Sequence, residues 1–122
     1  MNIHYNNAER LGRVTELPMQ INVNDFIQMR EEAVVHTVLD VREDWELEIC
    51  SVDNSLDIPM NEIAERSDEI PNDRPVIVMC HHGIRSWQIT VWLREHGFEN
   101  VSNLSGGIDI LARTLDEDIP VY

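Results

Sequence analysis

The sequence predicts an α/β domain of three layers: a central, mostly parallel sheet of about five strands with helices on both faces. Three observations lead there. Strand-like and helix-like segments alternate four or five times along the chain with short connections, the order that builds a parallel sheet. Two runs, residues 34–40 and 76–79, are apolar on both faces, as strands covered on both sides are. Asp40 and Cys80 stand at the ends of those runs, where open α/β sheets place their ligand sites. A length of 122 residues fits one domain, and 43% hydrophobic residues suffice for a core.

The elements follow in order. Residues 1–18 are polar with little periodicity and read as an N-terminal extension to a domain spanning 19–122. Met19 to Ile21 reads as a short strand. Asn22 or Asn24 is a suitable cap for a short helix through Phe26, Ile27 and Arg30. The strand ending at Asp40 precedes one or two helical turns over 43–49, acidic at their start. Leu56, Asp57 and Ile58 form a short strand stopped by Pro59, and Asn61 is placed to cap a helix through Ile63, Ala64 and Arg66. A turn cluster, Pro71, Asn72, Asp73 and Pro75, leads into the strand 76–79. Residues 86–96 then read as a helix with Trp87, Ile89 or Thr90, Val91 and Leu93 on its apolar face, Trp92 extending it, and Gly97 ending it. Val101 to Leu104 is another strand. Gly106 and Gly107 open a last helix through Ile108, Ile110, Leu111 and Leu115.

Composition excludes several classes of function. Acidic residues number 23 against nine basic ones, a net charge of −14, and every basic residue is Arg. Nucleic acids and anionic membrane surfaces need a basic face, so neither is an expected partner. The same field repels small anions unless a site supplies its own cation. No apolar run reaches the length of a membrane span, and no basic start followed by an apolar block marks a secretory signal. A cytoplasmic protein with reduced thiols is therefore expected. Two cysteines, Cys50 and Cys80, are too few for a disulfide framework and match no zinc spacing.

The chemistry concentrates in Cys80-His81-His82-Gly83-Ile84-Arg85-Ser86. A cysteine between a strand and a helix N-terminus faces backbone N–H groups that lack intrahelical partners, and Arg85 adds a cation; both favour a thiolate. Gly83 lets the backbone curl so that N–H groups converge on one point. The loop reads as a small anion cradle around a nucleophile, against the plainer reading of a packed, inert cysteine. His81 and His82 are candidates for acid–base assistance, for metal binding, or for lining the loop. Adjacent residues seldom aim at one ion and no fourth ligand is evident, so lining is the role assigned and no metal is expected. Cys50 is either a packed cysteine or a resolving thiol for Cys80.

These residues resemble a known family. The loop 80–85 is similar to the active loop of single-domain rhodanese-like sulfurtransferases. Leu39-Asp40-Val41-Arg42-Glu43-Asp44-Trp45-Glu46 resembles the family's Asp-Val-Arg-x-x-x-Glu segment, and Leu104-Ser105-Gly106-Gly107-Ile108 its Gly-Gly-Ile segment. The likeness runs from about Met19 to Tyr122. It departs at residues 50–55, where the family often shows Gly-His-Ile-Pro-Gly-Ala, although the spacing to Ile58-Pro59 is kept. The resemblance implies a rhodanese-like fold and a transferase of the thiosulfate sulfurtransferase type. Cys80 would take a sulfane sulfur from a donor such as thiosulfate as a persulfide. It would pass the sulfur to cyanide, a thiol or a sulfur-relay protein, with no cofactor. His81, His82, Gly83, Ile84 and Arg85 would then bind substrate, while Asp40, Arg42 and Ser86 support the loop. Two rivals are weighed: a non-catalytic rhodanese-like binding module, and a phosphatase or arsenate reductase. The second normally uses a longer loop, since a tetrahedral anion needs a wider ring than a single sulfur.

Overall fold

The computed structural model describes residues 17–115 and 119–122; the proposed extension lies outside the described residues except for Leu17 and Pro18. Among the described residues, five strands form one all-parallel sheet: β1 (Gln20–Ile21), β2 (Thr37–Asp40), β3 (Leu56–Asp57), β4 (Val76–Met79) and β5 (Val101–Leu104), in the spatial order β1-β5-β4-β2-β3. Five α-helices connect and follow them: α1 (Val23–Glu31), α2 (Asp44–Ile49), α3 (Ile63–Arg66, flanked by short 3-10 turns), α4 (Ile84–Glu95) and α5 (Gly107–Leu115). The α/β class and the helix-covered parallel sheet are as the sequence predicts.

Alternation along the central strand builds both cores. Ile77 and Met79 point to one face, where Phe26 and Met29 of α1 and Ile108, Leu111 and Ala112 of α5 cover them. Val76, Val78 and Cys80 point to the other, beneath Ile63 of α3 and Ile89 and Leu93 of α4. All four residues of β4 are buried, and all four are apolar. The chain leaves β2 toward β3 and leaves β4 toward β5 on the opposite side. A crevice therefore opens beyond their C-terminal ends, with Asp40 paired beside Met79 and Cys80 next in line. Leu17 is buried, and its N–H donates to Asn100 Oδ1 at 2.7 Å, so packing against the sheet has begun by that residue.

Asn22 caps α1: its side chain accepts from Asp25 N at 2.8 Å. Four local expectations need correction. β2 starts at Thr37 rather than at residue 34, because the chain turns after α1 through Ala33 at φ 55° and leaves Val35 61% exposed. Asn61 caps nothing. Met60 N donates to Val41 O, and Pro59 precedes a 3-10 turn (Met60–Glu62) that runs directly into α3. Helix α4 starts at Ile84, two residues early, because Gly83 adopts φ 98° and turns the chain straight into it. Its buried face is Ser86, Ile89, Thr90 and Leu93, and Trp87 is left 40% exposed. Two hydroxyl residues thus belong to the inward face, because that face covers the site as well as the core.

Candidate active site

Cys80 follows the last residue of β4 and is 1% exposed. The left-handed turn at Gly83 brings two backbone donors onto its sulfur: Gly83 N at 3.1 Å and Ser86 N at 3.4 Å. Ser86 Oγ lies 3.2 Å from the same sulfur. Gly83 and Ser86 thus turn backbone donors at the N-terminus of α4 onto the sulfur, donors that have no partner within the helix.

Asn103 on β5 orients the hydroxyl. Its Nδ2 donates to Gly83 O at 3.2 Å and to Gln20 Oε1 at 2.9 Å, so its Oδ1 faces Ser86 Oγ, at 2.5 Å. A carbonyl oxygen only accepts, which fixes the amide's orientation and commits the Ser86 hydroxyl proton to Asn103. Toward the sulfur, Ser86 Oγ is then an acceptor for the S–H of a protonated Cys80. Sequence reading missed Asn103. The signal was present: Ser102 and Asn103 are polar in a strand buried at all four positions.

A second helix N-terminus holds the loop from beneath. Ile108 N donates to Cys80 O at 2.9 Å and Asp109 N to His81 O at 3.0 Å. At Gly107, φ 59°, a Cβ would stand 2.4 Å from Cys80 O and 2.5 Å from His81 O. Gly107 is there because the start of α5 must touch the backbone of the cysteine loop, while a side chain at Gly106, φ 82°, would meet Ile110 of α5 itself.

The acidic segment after β2 reaches the loop too. Arg85, foreseen as the site's cation, makes a bidentate pair with Glu46: Nη1 to Oε1 at 2.6 Å and Nη2 to Oε2 at 2.8 Å. Its charge is thus shared, with a side chain 34% exposed against 3% for Glu46. Hydrogen bonding from Arg85 holds the Glu46 carboxyl down at about 2, against burial, and Tyr122 and the Glu43 N–H assist. Arg85 is held charged in return, first by Glu46, with the Cys80 sulfur adding a smaller electrostatic pull.

Beneath this pair, Arg42 and Asp40 are wholly buried, their charged ends 2.7 Å apart. Arg42 also donates to Cys50 O at 2.9 Å and to Tyr122 Oη at 2.8 Å, so the buried guanidinium is widely partnered. Burial pushes the Asp40 carboxyl up, and its hydrogen bonds from Arg42 oppose this. Cys50 is buried with its sulfur 3.9 Å from Arg42 Nη1, and it packs in the core on the sheet face opposite Cys80.

His81 stacks between His82 and Tyr122, with ring centroids 3.9 Å apart on each side. Its Nε2 pairs with Tyr122 O at 2.8 Å. Asp109 of α5 joins the histidines, so that ligand atoms of His81, His82 and Asp109 lie within 4.8 Å of one another. Protein groups already engage this cluster: Tyr122 O on His81 and Arg113 on Asp109 at 3.2 Å. Ile84 points outward, 72% exposed, and with Gln20, Gly83, Trp87 and Gln88 lines a shallow cleft of ≈ 370 Å³. A second cleft, ≈ 460 Å³, lies on the Arg85 side, between Val41, Met60 and Ile89.

A parallel α/β sheet with a cysteine at the central strand's end, held by N–H groups of the helix that follows, defines a class of cysteine-loop α/β domains. Within that class the chain belongs to the rhodanese-like domain family, whose model matches residues 22–112. A protein named sulfurtransferase from Allochromatium vinosum is 38% identical over 76 residues, 62% of this chain and 71% of that one. The thiosulfate sulfurtransferase GlpE of Shewanella oneidensis is 31% identical over 87 residues, 71% of this chain and 85% of that one. A rhodanese-related protein of Thermoplasma volcanium superimposes with a TM-score of 0.75 at 30% identity, covering 86% of this chain and all of that one, 100%. Other relatives are longer, and the chain spans between 23% and 30% of their length. Among the described residues, no helix is long and apolar enough to cross a membrane.

Proposed function

We propose that the protein is a cytoplasmic sulfurtransferase that carries a sulfane sulfur on Cys80. It takes the sulfur from a donor such as thiosulfate and gives it to cyanide, a thiol or a sulfur-relay protein. One observation carries the reading: the Cys80 sulfur at the strand end accepts N–H groups of Gly83 and Ser86 at 3.1 and 3.4 Å. The named activities of the relatives support it.

In the first step the Cys80 thiolate attacks the outer sulfur of thiosulfate. A Cys80–sulfur bond forms, the bond between the two donor sulfurs breaks, and its electron pair leaves on sulfite. In the second, the acceptor attacks the outer sulfur of the persulfide, and the Cys80 thiolate is regenerated as the pair returns to it. Both steps move an anionic sulfur within the loop, and the Gly83 and Ser86 N–H groups stabilise that charge without reorganising. Arg85 draws the anionic donor, which must compete for it with Glu46. His81, His82 and Ile84 form the rim across which the donor arrives. The steps require neither metal nor organic cofactor.

The burial of Cys80, 1% exposed, favours a slender donor approaching end-on over a phosphate ester. Incubation with thiosulfate should add the mass of one sulfur to Cys80, and Cys80→Ser should abolish both that gain and turnover. Arg85→Ala should raise the donor KM by roughly tenfold, the scale of one lost charge-assisted hydrogen bond. No mass gain from thiosulfate or any other sulfane donor would refute the reading in favour of a binding module.

A further inference from the structure

We infer that Tyr122 is a positioning residue for the donor, setting how readily Arg85 exchanges Glu46 for an incoming anion. The inference rests on the reading that Arg85 holds the donor. Its ground is the set of contacts that converge on one side chain from the far end of the described chain. The Tyr122 hydroxyl accepts from Arg42 Nη1 at 2.8 Å and donates to Glu46 Oε2 at 2.7 Å. Its ring lies flat on His81, at an interplanar angle of 3°, and its backbone O pairs with His81 Nε2 at 2.8 Å. Tyr122 thus touches the cysteine loop through His81 and touches Arg85's partner through Glu46.

The donor must separate Arg85 from a Glu46 side chain that is 3% exposed. A buried carboxylate stripped of its partner is costly, and that cost opposes donor binding. Glu46 keeps two other donors when Arg85 turns away: the Glu43 N–H at 3.1 Å and the Tyr122 hydroxyl. The hydroxyl is a dependable donor, because burial pushes its ionisation up to about 12, with the bond to Glu46 adding to the rise and Arg42 opposing it. The buried Arg42 guanidinium polarises the hydroxyl toward Glu46, strengthening the bond it donates. With the hydroxyl present, Glu46 tolerates the loss of Arg85. Without it, Glu46 grips Arg85 and excludes the donor.

Tyr122→Phe tests this, since it removes the hydroxyl and keeps the ring on His81. Thiosulfate-dependent sulfur loading of Cys80 should show the donor KM raised roughly five- to tenfold and kcat changed less than about twofold, the range set by one hydrogen bond to a charged group. A second readout needs no sulfur transfer: the rotation rate of the labelled Arg85 guanidinium by NMR should fall severalfold in Tyr122→Phe. Unchanged His81 ring signals confirm that the stack persists. If the wild-type protein loads no sulfur, the sulfurtransferase reading fails and Arg85 rotation alone decides the role of Tyr122. An unchanged or lowered KM together with unchanged Arg85 rotation overturns the inference. So does a loss confined to stability and kcat, the signature of a purely structural residue.

Discussion

Replacing Glu46 with Gln removes a charge held between α2 and the cysteine loop, and the structure fixes what should follow. The Glu46 carboxyl ionises at about 2 in the folded protein against an ordinary 4.5, chiefly because Arg85 bonds both its oxygens. A carboxyl easier to ionise folded than unfolded adds stability above its unfolded value and loses it as the pH falls toward its folded value. For Glu46 that window runs from 4.5 down to about 2. At roughly 1.4 kcal/mol per pH unit the full gap is worth about 3 kcal/mol. Solvent screening at the partly exposed Arg85 end reduces this to roughly 2 kcal/mol. Urea unfolding of the wild type and Glu46→Gln, from neutral pH to about pH 2.5, measures it. The wild type should be the more stable at neutral pH by roughly 2 kcal/mol, and the two should converge as the medium is acidified. Freed from the ion pair, Arg85 should also lower the thiosulfate KM. Parallel stability curves for the two proteins would refute the claim that Arg85 holds this carboxylate, and the account of donor competition with it.

Two further outcomes follow from the loop's supports. Gly107→Ala sets a methyl against the Cys80 and His81 carbonyls at φ 59°, so it should cost roughly 3 kcal/mol in urea unfolding and slow sulfur loading; a neutral effect would mean that α5 does not brace the loop. Ser86→Ala and Asn103→Leu, combined in a double-mutant cycle, should show a coupling of about 1 kcal/mol, and additive effects would show that the Ser86 hydroxyl does not point to Asn103.

The run 76–79, and the run 34–40 in its second half, could be read because burial on both faces leaves a composition no exposed strand shows. The cap of α1 was legible to within two candidates, Asn22 and Asn24, because a capping side chain and its N–H are three residues apart; the structure selects Asn22. Local patterns failed where a distant backbone competed. Asn61 has the right chemistry for a cap, yet Met60 N is bound to Val41, and the helix begins otherwise. Trp87 has the right period for the core, but the inward face of α4 meets Asn103 and Cys80, and hydroxyls take its place.

By itself the sequence determined the parallel sheet, the position of Cys80 at a strand end and the short loop to Arg85. The sheet is carried by the alternation of strand-like and helix-like segments, and the other two by neighbours within a few residues, where chain geometry alone sets direction. Only the tertiary structure decided what surrounds that cysteine. Glu46 reaches Arg85 across 39 residues, Tyr122 reaches Glu46 across 76, and Asn103 reaches Gly83 across 20. A hydrogen bond is directional and short-ranged, so its partners are fixed by how strands and helices stack. Spacing along the chain says nothing of a donor that arrives from the other end of the fold.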